Sequence, residues 1–185
     1  MKTEELIGKL IRELTIELGE EGFKHYRQAP GSGYSGEVKL TGALAKMIEC
    51  TLLRPEATYN QIERLCAEAK AHGLSGVVVN PSYVRLASRL LGGSGVKVCT
   101  VICFPLGATT IQVKTAETKE AVENGADEVE MVVNVGALKS GFYNLVYQEC
   151  KAVVAAATPA LTTVTIESCY LTTEETIKAC LLAKY

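Results

Sequence analysis

The stretch Glu128-Val129-Glu130-Met131-Val132-Val133-Asn134 decides between the folds open to this chain. Side chains alternate between the two faces of a β-strand, so the apolar residues at positions 129, 131 and 133 share one face. Glu128, Glu130 and Asn134 share the other face. The strand therefore has one apolar face and one face lined by carboxylates and an amide.

The same alternation recurs in two more predicted strands. On the first, Ile48, Cys50 and Leu52 oppose Glu49 and Thr51, and on the fifth, Val164 and Ile166 oppose Thr163, Thr165 and Glu167. A doubly wound sheet is covered by helices on both faces, so its strands are usually apolar on both. A polar inner face and an apolar outer face favour part of a (β/α)8 TIM barrel, whose outer face meets helices.

Strand and helix patterns alternate from about residue 40 onward, at roughly 30 residues per unit, which indicates βαβ units and a parallel sheet. The predicted strands are 47–52, 76–80, 97–104, 128–134 and 163–168. The predicted helices are 59–72, 82–92, 111–124, 142–156 and 173–184. We therefore predict about five βα units, in a partial TIM-barrel domain over 40–185.

The amino-terminal region has a different pattern. Leu6, Leu10, Leu14 and Leu18 recur every four residues, which predicts an amphipathic helix within residues 1–20. Residues 21–39 include Gln28–Gly36, which has the composition of a flexible linker. The helix either packs on its own domain or pairs in a dimer, or it directs the protein to a partner; the sequence leaves these open.

Composition excludes several classes of function. The chain has 48% hydrophobic and 22% charged residues and a net charge of -2, which argues against nucleic acid or an anionic membrane as main partner. No apolar run has the roughly 18 residues of a membrane helix, and the start lacks a secretory signal, so we expect a cytoplasmic protein. Cys99 and Cys103 lack C-x-x-C spacing and a nearby histidine, so we expect no metal site.

Several runs along the chain are similar to one family. They are Ile48-Glu49-Cys50-Thr51-Leu52-Leu53, Val77-Val78-Val79-Asn80-Pro81, Lys97–Gly107, Gly125–Asn134 with Gly136–Gly141, and Ile166–Thr172. Together they resemble the first five strands of deoxyribose-phosphate aldolases, in register from about Leu44 to Tyr185. The first 40 or so residues lie outside the resemblance.

The resemblance implies a class I aldolase, a lyase of deoxyribonucleotide catabolism that needs no cofactor or metal. That family cleaves 2-deoxyribose 5-phosphate to acetaldehyde and glyceraldehyde 3-phosphate. A lysine on the sixth strand forms a Schiff base, and a lysine on the seventh lowers its pKa. An aspartate on the fourth strand moves protons, and loops after strands seven and eight bind phosphate.

The resemblance also places site residues. Glu130 matches the proton-relay aspartate, and it is expected to be catalytic. Glu49, Thr51, Val78 and Glu167 are expected in the substrate pocket. This sequence departs from the family at several inner positions: Glu130 and Glu49 replace aspartates, Cys50 replaces a histidine, and Thr163 replaces a lysine. An added methylene moves a carboxylate by about 1 Å, which can cost roughly a hundredfold in rate.

We expect the chain to end before the strands with the two lysines and the phosphate loops, and therefore to be inactive by itself. Lys139, after the fourth strand, is the least unsuitable substitute nucleophile, although a solvated loop lysine is the ordinary interpretation.

Three hypotheses remain open. The first is an aldolase sequence cut short. The second is a pseudoenzyme or binding module with a sugar-phosphate pocket and no chemistry. The third is an assembly role for residues 1–18, which are similar to peptides that direct enzymes into bacterial microcompartments. Whether the chain forms a homo-oligomer also stays open at this stage.

Overall fold

In a computed structural model of the chain, residues 3–18 and 44–184 are described. Five strands form one sheet: β1 Glu49–Leu52, β2 Gly76–Val79, β3 Lys97–Ile102, β4 Glu128–Val132 and β5 Leu161–Thr165. The α-helices are α1 Thr3–Leu18, α2 Tyr59–His72, α3 Val84–Leu91, α4 Ile111–Glu123, α5 Val135–Lys139, α6 Tyr143–Ala157 and α7 Thr173–Lys184. Short 3₁₀ turns lie at Leu44–Met47, Pro81–Tyr83 and Ser168–Tyr170.

The sheet has sequential order, β1-β2-β3-β4-β5, and each neighbouring pair is parallel. This arrangement confirms the α/β fold class and the five predicted βα units. The register aligns Thr51 with Val78 and Val78 with Cys99, and it aligns Val101 with Glu130. Residues of the inner face are therefore neighbours across the sheet.

Helices cover one face of the sheet, as the alternation predicted. The main core joins outward strand residues such as Val129 and Met131 to helix residues such as Ile62 and Val146. The opposite face contains a small separate cluster of Val78, Cys99 and Val101 with Leu53 packed against it. The buried members of this second cluster all come from strands β2 and β3.

Local signals explain where the helices begin. Gln61 accepts a hydrogen bond from the Thr58 backbone N–H at 2.8 Å at the start of α2, and the Thr110 hydroxyl accepts from Val113 N–H at the start of α4. The helix α5 was not predicted from sequence. Its Asn134 side chain accepts from Ala137 N–H at 3.1 Å, so the chain leaves β4 after Val132, not at Asn134 as predicted.

The predicted amino-terminal helix is confirmed over Thr3–Leu18, and it packs on the domain. Leu10 and Leu14 are fully buried in the main core. The proposed flexible linker, 21–39, lies outside the described residues. No helix in the described parts of the chain is both long and apolar enough to cross a membrane.

Candidate active site

The inner face of the sheet brings together most of the residues that the sequence placed in the site. Glu49 and Thr51 lie on β1, Val78 lies on β2 and Glu130 lies on β4. Val78 is buried, Glu130 is half-buried, and both β1 residues are exposed. Polar and apolar side chains therefore share the inner face of the sheet, where Glu49 is more exposed than Glu130.

Glu130 is paired with a hydroxyl from the next strand. The Thr165 hydroxyl donates a hydrogen bond to Glu130 Oε1. Thr165 is the last residue of β5 and aligns with Val132, so the bond runs diagonally between strands. A half-buried carboxylate with one oxygen held by a hydroxyl is positioned to act as a general acid–base group on this face. The alternation of β5 placed Thr165 on this face, but the sequence did not predict its contact with Glu130.

Glu49 lies in a different group, at the amino ends of the strands. Its Oε1 accepts a hydrogen bond from Cys99 Sγ at 3.3 Å. Burial raises the pKa of the Cys99 thiol well above its usual range, and hydrogen bonding and negative charge from Glu49 add to the shift. Burial also raises the pKa of Glu128, and repulsion from Glu49 adds to it. The structure thus joins Glu49 to Cys99 and Glu128 more closely than to the Glu130–Thr165 pair.

Glu49, Cys99 and Glu128 offer three ligand atoms within 4.8 Å of one another, which is the only such cluster among the described residues. Cys103 is not a member, so the Cys99–Cys103 pair considered from sequence is not assembled. Cys103 Sγ instead contacts Thr109 Oγ1 at 2.7 Å. The Lys97 ammonium lies 3.9 Å from Glu128 and partly neutralises the cluster.

Two residues at the carboxyl ends of strands adopt left-handed backbone conformations. Cys103, just after β3, has φ 56°, and Glu167, two residues after β5, has φ 53°. Such conformations in residues other than glycine are strained and concentrate at functional sites. The prediction that Glu167 lies within the fifth strand was wrong, because β5 ends at Thr165 and the backbone turns there.

The glycine of the loop after β3 brings that loop close to β4. Gly107 has φ +63°, and a Cβ at this position would overlap the Val133 carbonyl oxygen. Gly107 N–H also donates to the Cys103 carbonyl at 2.8 Å. The loop after β3 is therefore held against the end of β4, next to the strand that contains Glu130.

Lys139 is engaged in an ion pair. Its Nζ lies 2.9 Å from Glu175 Oε2 and donates to the Tyr170 carbonyl at 2.9 Å. The Thr172 backbone N–H and Lys139 both donate to Glu175 and lower the pKa of its carboxyl. Nearly half of the Lys139 side chain is exposed. Lys139 therefore ties the segment after β4 to α7, and it is not the desolvated amine that imine chemistry requires.

None of the other lysines of the described residues belongs to the carboxyl end of a strand. Lys97 is the first residue of β3, at the amino end, and the others lie on α- or 3₁₀-helices. Lys114 on α4 is fully buried, and its Nζ reaches the end of β4, where it donates to the Val132 carbonyl at 3.5 Å. The same Nζ pairs with Glu149 Oε2 at 2.8 Å, so this amine is a paired cation. Among the described residues Glu130 is thus a candidate proton carrier, and no lysine lies on the inner face at the carboxyl end of a strand.

Comparison with known proteins decides the family. Residues 40–180 match the DeoC/LacD family of aldolases. This chain belongs to the DeoC/LacD aldolase family. The matched residues include all five strands of the sheet and leave out α1.

Curated relatives of this family member are named deoxyribose-phosphate aldolase. One from Clostridium perfringens (strain ATCC 13124) is 57% identical over 142 residues, covering 76% of this chain and 63% of the relative. One from Streptococcus suis (strain 98HAH33) is 53% identical over 141 residues, covering 76% of this chain and 64% of the relative. The chain therefore spans less than two thirds of the length of these relatives.

Solved structures agree with the TIM-barrel assignment of this family member. A crystal structure assigned as a deoxyribose-phosphate aldolase from Coccidioides immitis has a TM-score of 0.75 and 40% identity, covering 76% of this chain and 56% of that one. A deoxyribose phosphate aldolase from Aeropyrum pernix, described as tetrameric, has a TM-score of 0.67 and 30% identity, covering 76% and 59%.

Proposed function

We propose that this chain supplies the first five βα units of a class I aldolase that reversibly cleaves 2-deoxyribose 5-phosphate to acetaldehyde and glyceraldehyde 3-phosphate. The observation that supports the proposal most is the Glu130–Thr165 pair on the inner face of a DeoC/LacD sheet. In this proposal Glu130 moves protons, while Thr51, Val78 and Glu167 line the pocket. Glu49 lines the pocket at the amino ends of the strands, where it contacts Cys99.

The proposal assigns the imine-forming lysine to the sixth strand, outside residues 1–185. Imine formation needs a nucleophilic amine in a desolvated, inward position. Every lysine at 44–184 other than Lys97 lies on a helix. Lys139 is paired with Glu175, and the fully buried Lys114 is paired with Glu149. We therefore propose that residues 1–185 by themselves are inactive and that activity requires the remaining strands of the barrel.

A chimeric protein tests this function. Residues 1–182 are joined to strands six to eight of the Clostridium perfringens aldolase. Cleavage of 2-deoxyribose 5-phosphate is then monitored by measuring the acetaldehyde that is released. We expect activity in the chimera and none in residues 1–185. The matched substitutions are Glu130→Gln, which removes the proton carrier, and Glu130→Asp, which restores the shorter carboxylate.

The two substitutions separate the outcomes. Glu130→Gln should lower kcat by about a hundredfold or more, the usual effect of losing a general acid–base group. Glu130→Asp should retain activity or raise it. A folded chimera that lacks activity with either carboxylate would contradict the aldolase proposal and favour a pseudoenzyme, in which the pocket binds a sugar phosphate without turnover.

A second proposal concerns residues 1–18. We propose a cytoplasmic protein whose amino-terminal helix directs it to a bacterial microcompartment shell; an amphipathic helix outside the family match at 40–180 supports this. Fusion of residues 1–43 to a fluorescent protein should produce shell-dependent foci in cells that form such compartments. Diffuse fluorescence, with or without shell proteins, would contradict the targeting role.

A further inference from the structure

The α1 helix contacts the domain through its apolar face, on which Leu6, Ile11 and Leu18 are partly buried against the main core. Leu10 and Leu14, one turn apart, are fully buried against α6 and α7, whereas Ile16 is 86% exposed. The contact lies on the outer, helical layer, away from the inner face that contains Glu130. Its purpose is therefore separate from the aldolase chemistry.

The first polar contact is at the start of α6. Phe142, the residue before this helix, provides no side-chain hydrogen bond to the helix terminus. Glu17 of α1 supplies one, because its Oε1 accepts from the Asn144 backbone N–H at 3.1 Å. A carboxylate at this point satisfies an unpaired N–H and interacts favourably with the positive end of the helix dipole. The α6 terminus is thus capped by a side chain from another helix.

The second polar contact is a buried cation on α7. Lys178 is 7% exposed. Its Nζ donates to the Tyr143 hydroxyl at 3.0 Å and lies 3.0 Å from Glu174 and 3.6 Å from Glu13 of α1. Burial by itself lowers the pKa of Lys178, but the hydrogen bonds to Tyr143 and Glu174 outweigh it and raise the pKa. The ammonium therefore remains charged, and α1 contributes one of its carboxylate partners.

The two leucines and two glutamates form a regular pattern on α1, Leu10-x-x-Glu13-Leu14-x-x-Glu17. We propose that the groove between α6 and α7 is a binding site for an acidic amphipathic helix with this pattern, and that α1 of the same chain is its displaceable ligand. Lys178 and the α6 terminus select the two glutamates. The apolar surface between them accepts the two leucines.

The linkage between α1 and the domain permits exchange. The 25 residues from 19 to 43 join the two. A segment of this length reaches up to about 80–90 Å when extended, so α1 can leave the groove without disturbing the sheet. Of the five apolar residues of α1 that pack on the main core, only Leu10 and Leu14 are fully buried. A competing helix therefore has to replace the contacts of one helix face.

Binding of a separate peptide tests the proposal on the full chain. The double variant Leu10→Glu/Leu14→Glu should empty the groove, and circular dichroism and thermal melting verify its fold. A fluorescent peptide of residues 3–18 should then bind saturably, with much weaker binding to the wild-type chain. Glu13→Gln/Glu17→Gln in the peptide should weaken binding about tenfold or more, the scale of losing one hydrogen bond to a carboxylate and one ion pair. Ile16→Gln, at the exposed position, is the matched control.

A second measurement does not depend on the Leu10→Glu/Leu14→Glu variant. In the otherwise wild-type chain, Glu17→Gln should speed hydrogen exchange of the Asn144 amide and of α1, while Glu4→Gln should leave the Asn144 amide unchanged. Equal binding of the Glu13→Gln/Glu17→Gln peptide, or no binding to a folded double variant, would overturn the proposal. A wild-type dimer that disappears in the double variant would overturn the assignment of α1 to its own chain.

Discussion

The two faces of the sheet are built from alternate residues of the same strands, and they differ in almost every physical property. On β4, Val129 and Met131 are fully buried under helices, whereas Glu128 and Glu130 are half-buried on the inner face. The outer face belongs to the large core, and the inner face has a cluster of three buried residues. We infer that the outer face stabilises the fold and that the inner face is free to vary for chemistry.

The largest expected effect is at the buried ion pair of the helical layer. Lys114 and Glu149 pair at 2.8 Å with almost no exposure, and Asn134 Nδ2 donates to the same carboxylate at 3.3 Å. Lys114→Met leaves that carboxylate buried without its cation, so the free energy of unfolding should fall by about 3–5 kcal/mol. Chemical denaturation measures this. The double variant Lys114→Met/Glu149→Met should recover much of the loss; if it does not, the pair is not the cause.

A matched pair of valines on β3 compares the faces directly. Val98 is buried on the outer face and Val101 on the inner face, with 2% and 3% exposure. Val98→Ala leaves a cavity in the large core and should cost about 2 kcal/mol of unfolding free energy. Val101→Ala should cost about half as much, because the small inner cluster lies beside an accessible face. Equal costs in urea denaturation would contradict the proposed division between the faces.

Substitution of Glu128 is expected to raise the free energy of unfolding, in contrast to the substitutions above. Burial and repulsion from Glu49 raise its pKa above the unfolded value of about 4.3. The native state therefore binds this proton more tightly, so its stabilising contribution is present below the unfolded pKa and is lost as pH rises through the folded pKa. Glu128→Gln should accordingly stabilise the protein at pH 7 by up to about 0.5 kcal/mol. The gain should disappear towards pH 4, and a loss at pH 7 would contradict the repulsion.

The smallest effect is expected at the Lys139–Glu175 pair. Hydrogen bonds from Thr172 and Lys139 lower the pKa of Glu175, so its contribution is present above the unfolded pKa of about 4.3 and is lost as pH falls through the folded pKa. Glu175→Gln should flatten the acid side of the stability profile below that pH and change little at pH 7. Exposed Glu63→Gln on α2 is the control, and identical profiles for both variants would show that the pair contributes nothing.

The alternation of apolar and polar residues predicted which face of the sheet is which, because the period of two is a local property of each strand. The first and last residues of helices and strands were harder to predict from the sequence. The helix α5 spans five residues, too few for a helical period, and its start depends on the Asn134 side chain. The strand β5 begins two residues earlier than predicted and ends before Glu167, where the backbone becomes left-handed.

Contacts between distant residues were beyond the reach of sequence patterns. Glu49 and Cys99 are 50 positions apart, and Glu130 and Thr165 are 35 apart. The family resemblance placed Glu49 and Glu130 in one site. In the structure Glu49 belongs to the group with Cys99, whereas Glu130 is paired with Thr165. The docking of α1 depends on Asn144 and Lys178, more than 120 residues away along the chain, so the sequence could not choose between packing and targeting.

The most direct test of the account is borohydride trapping with acetaldehyde, applied to residues 1–185 and to the chimera with strands six to eight of the Clostridium perfringens aldolase. We propose that the proton carrier, Glu130, lies within residues 1–185 and that the imine-forming lysine lies outside them. Reduction should therefore leave no ethyl group on any lysine of residues 1–185, and it should label one inward lysine of the added strands in the chimera. A stable adduct on Lys139, or on another lysine of residues 1–185, would contradict the account.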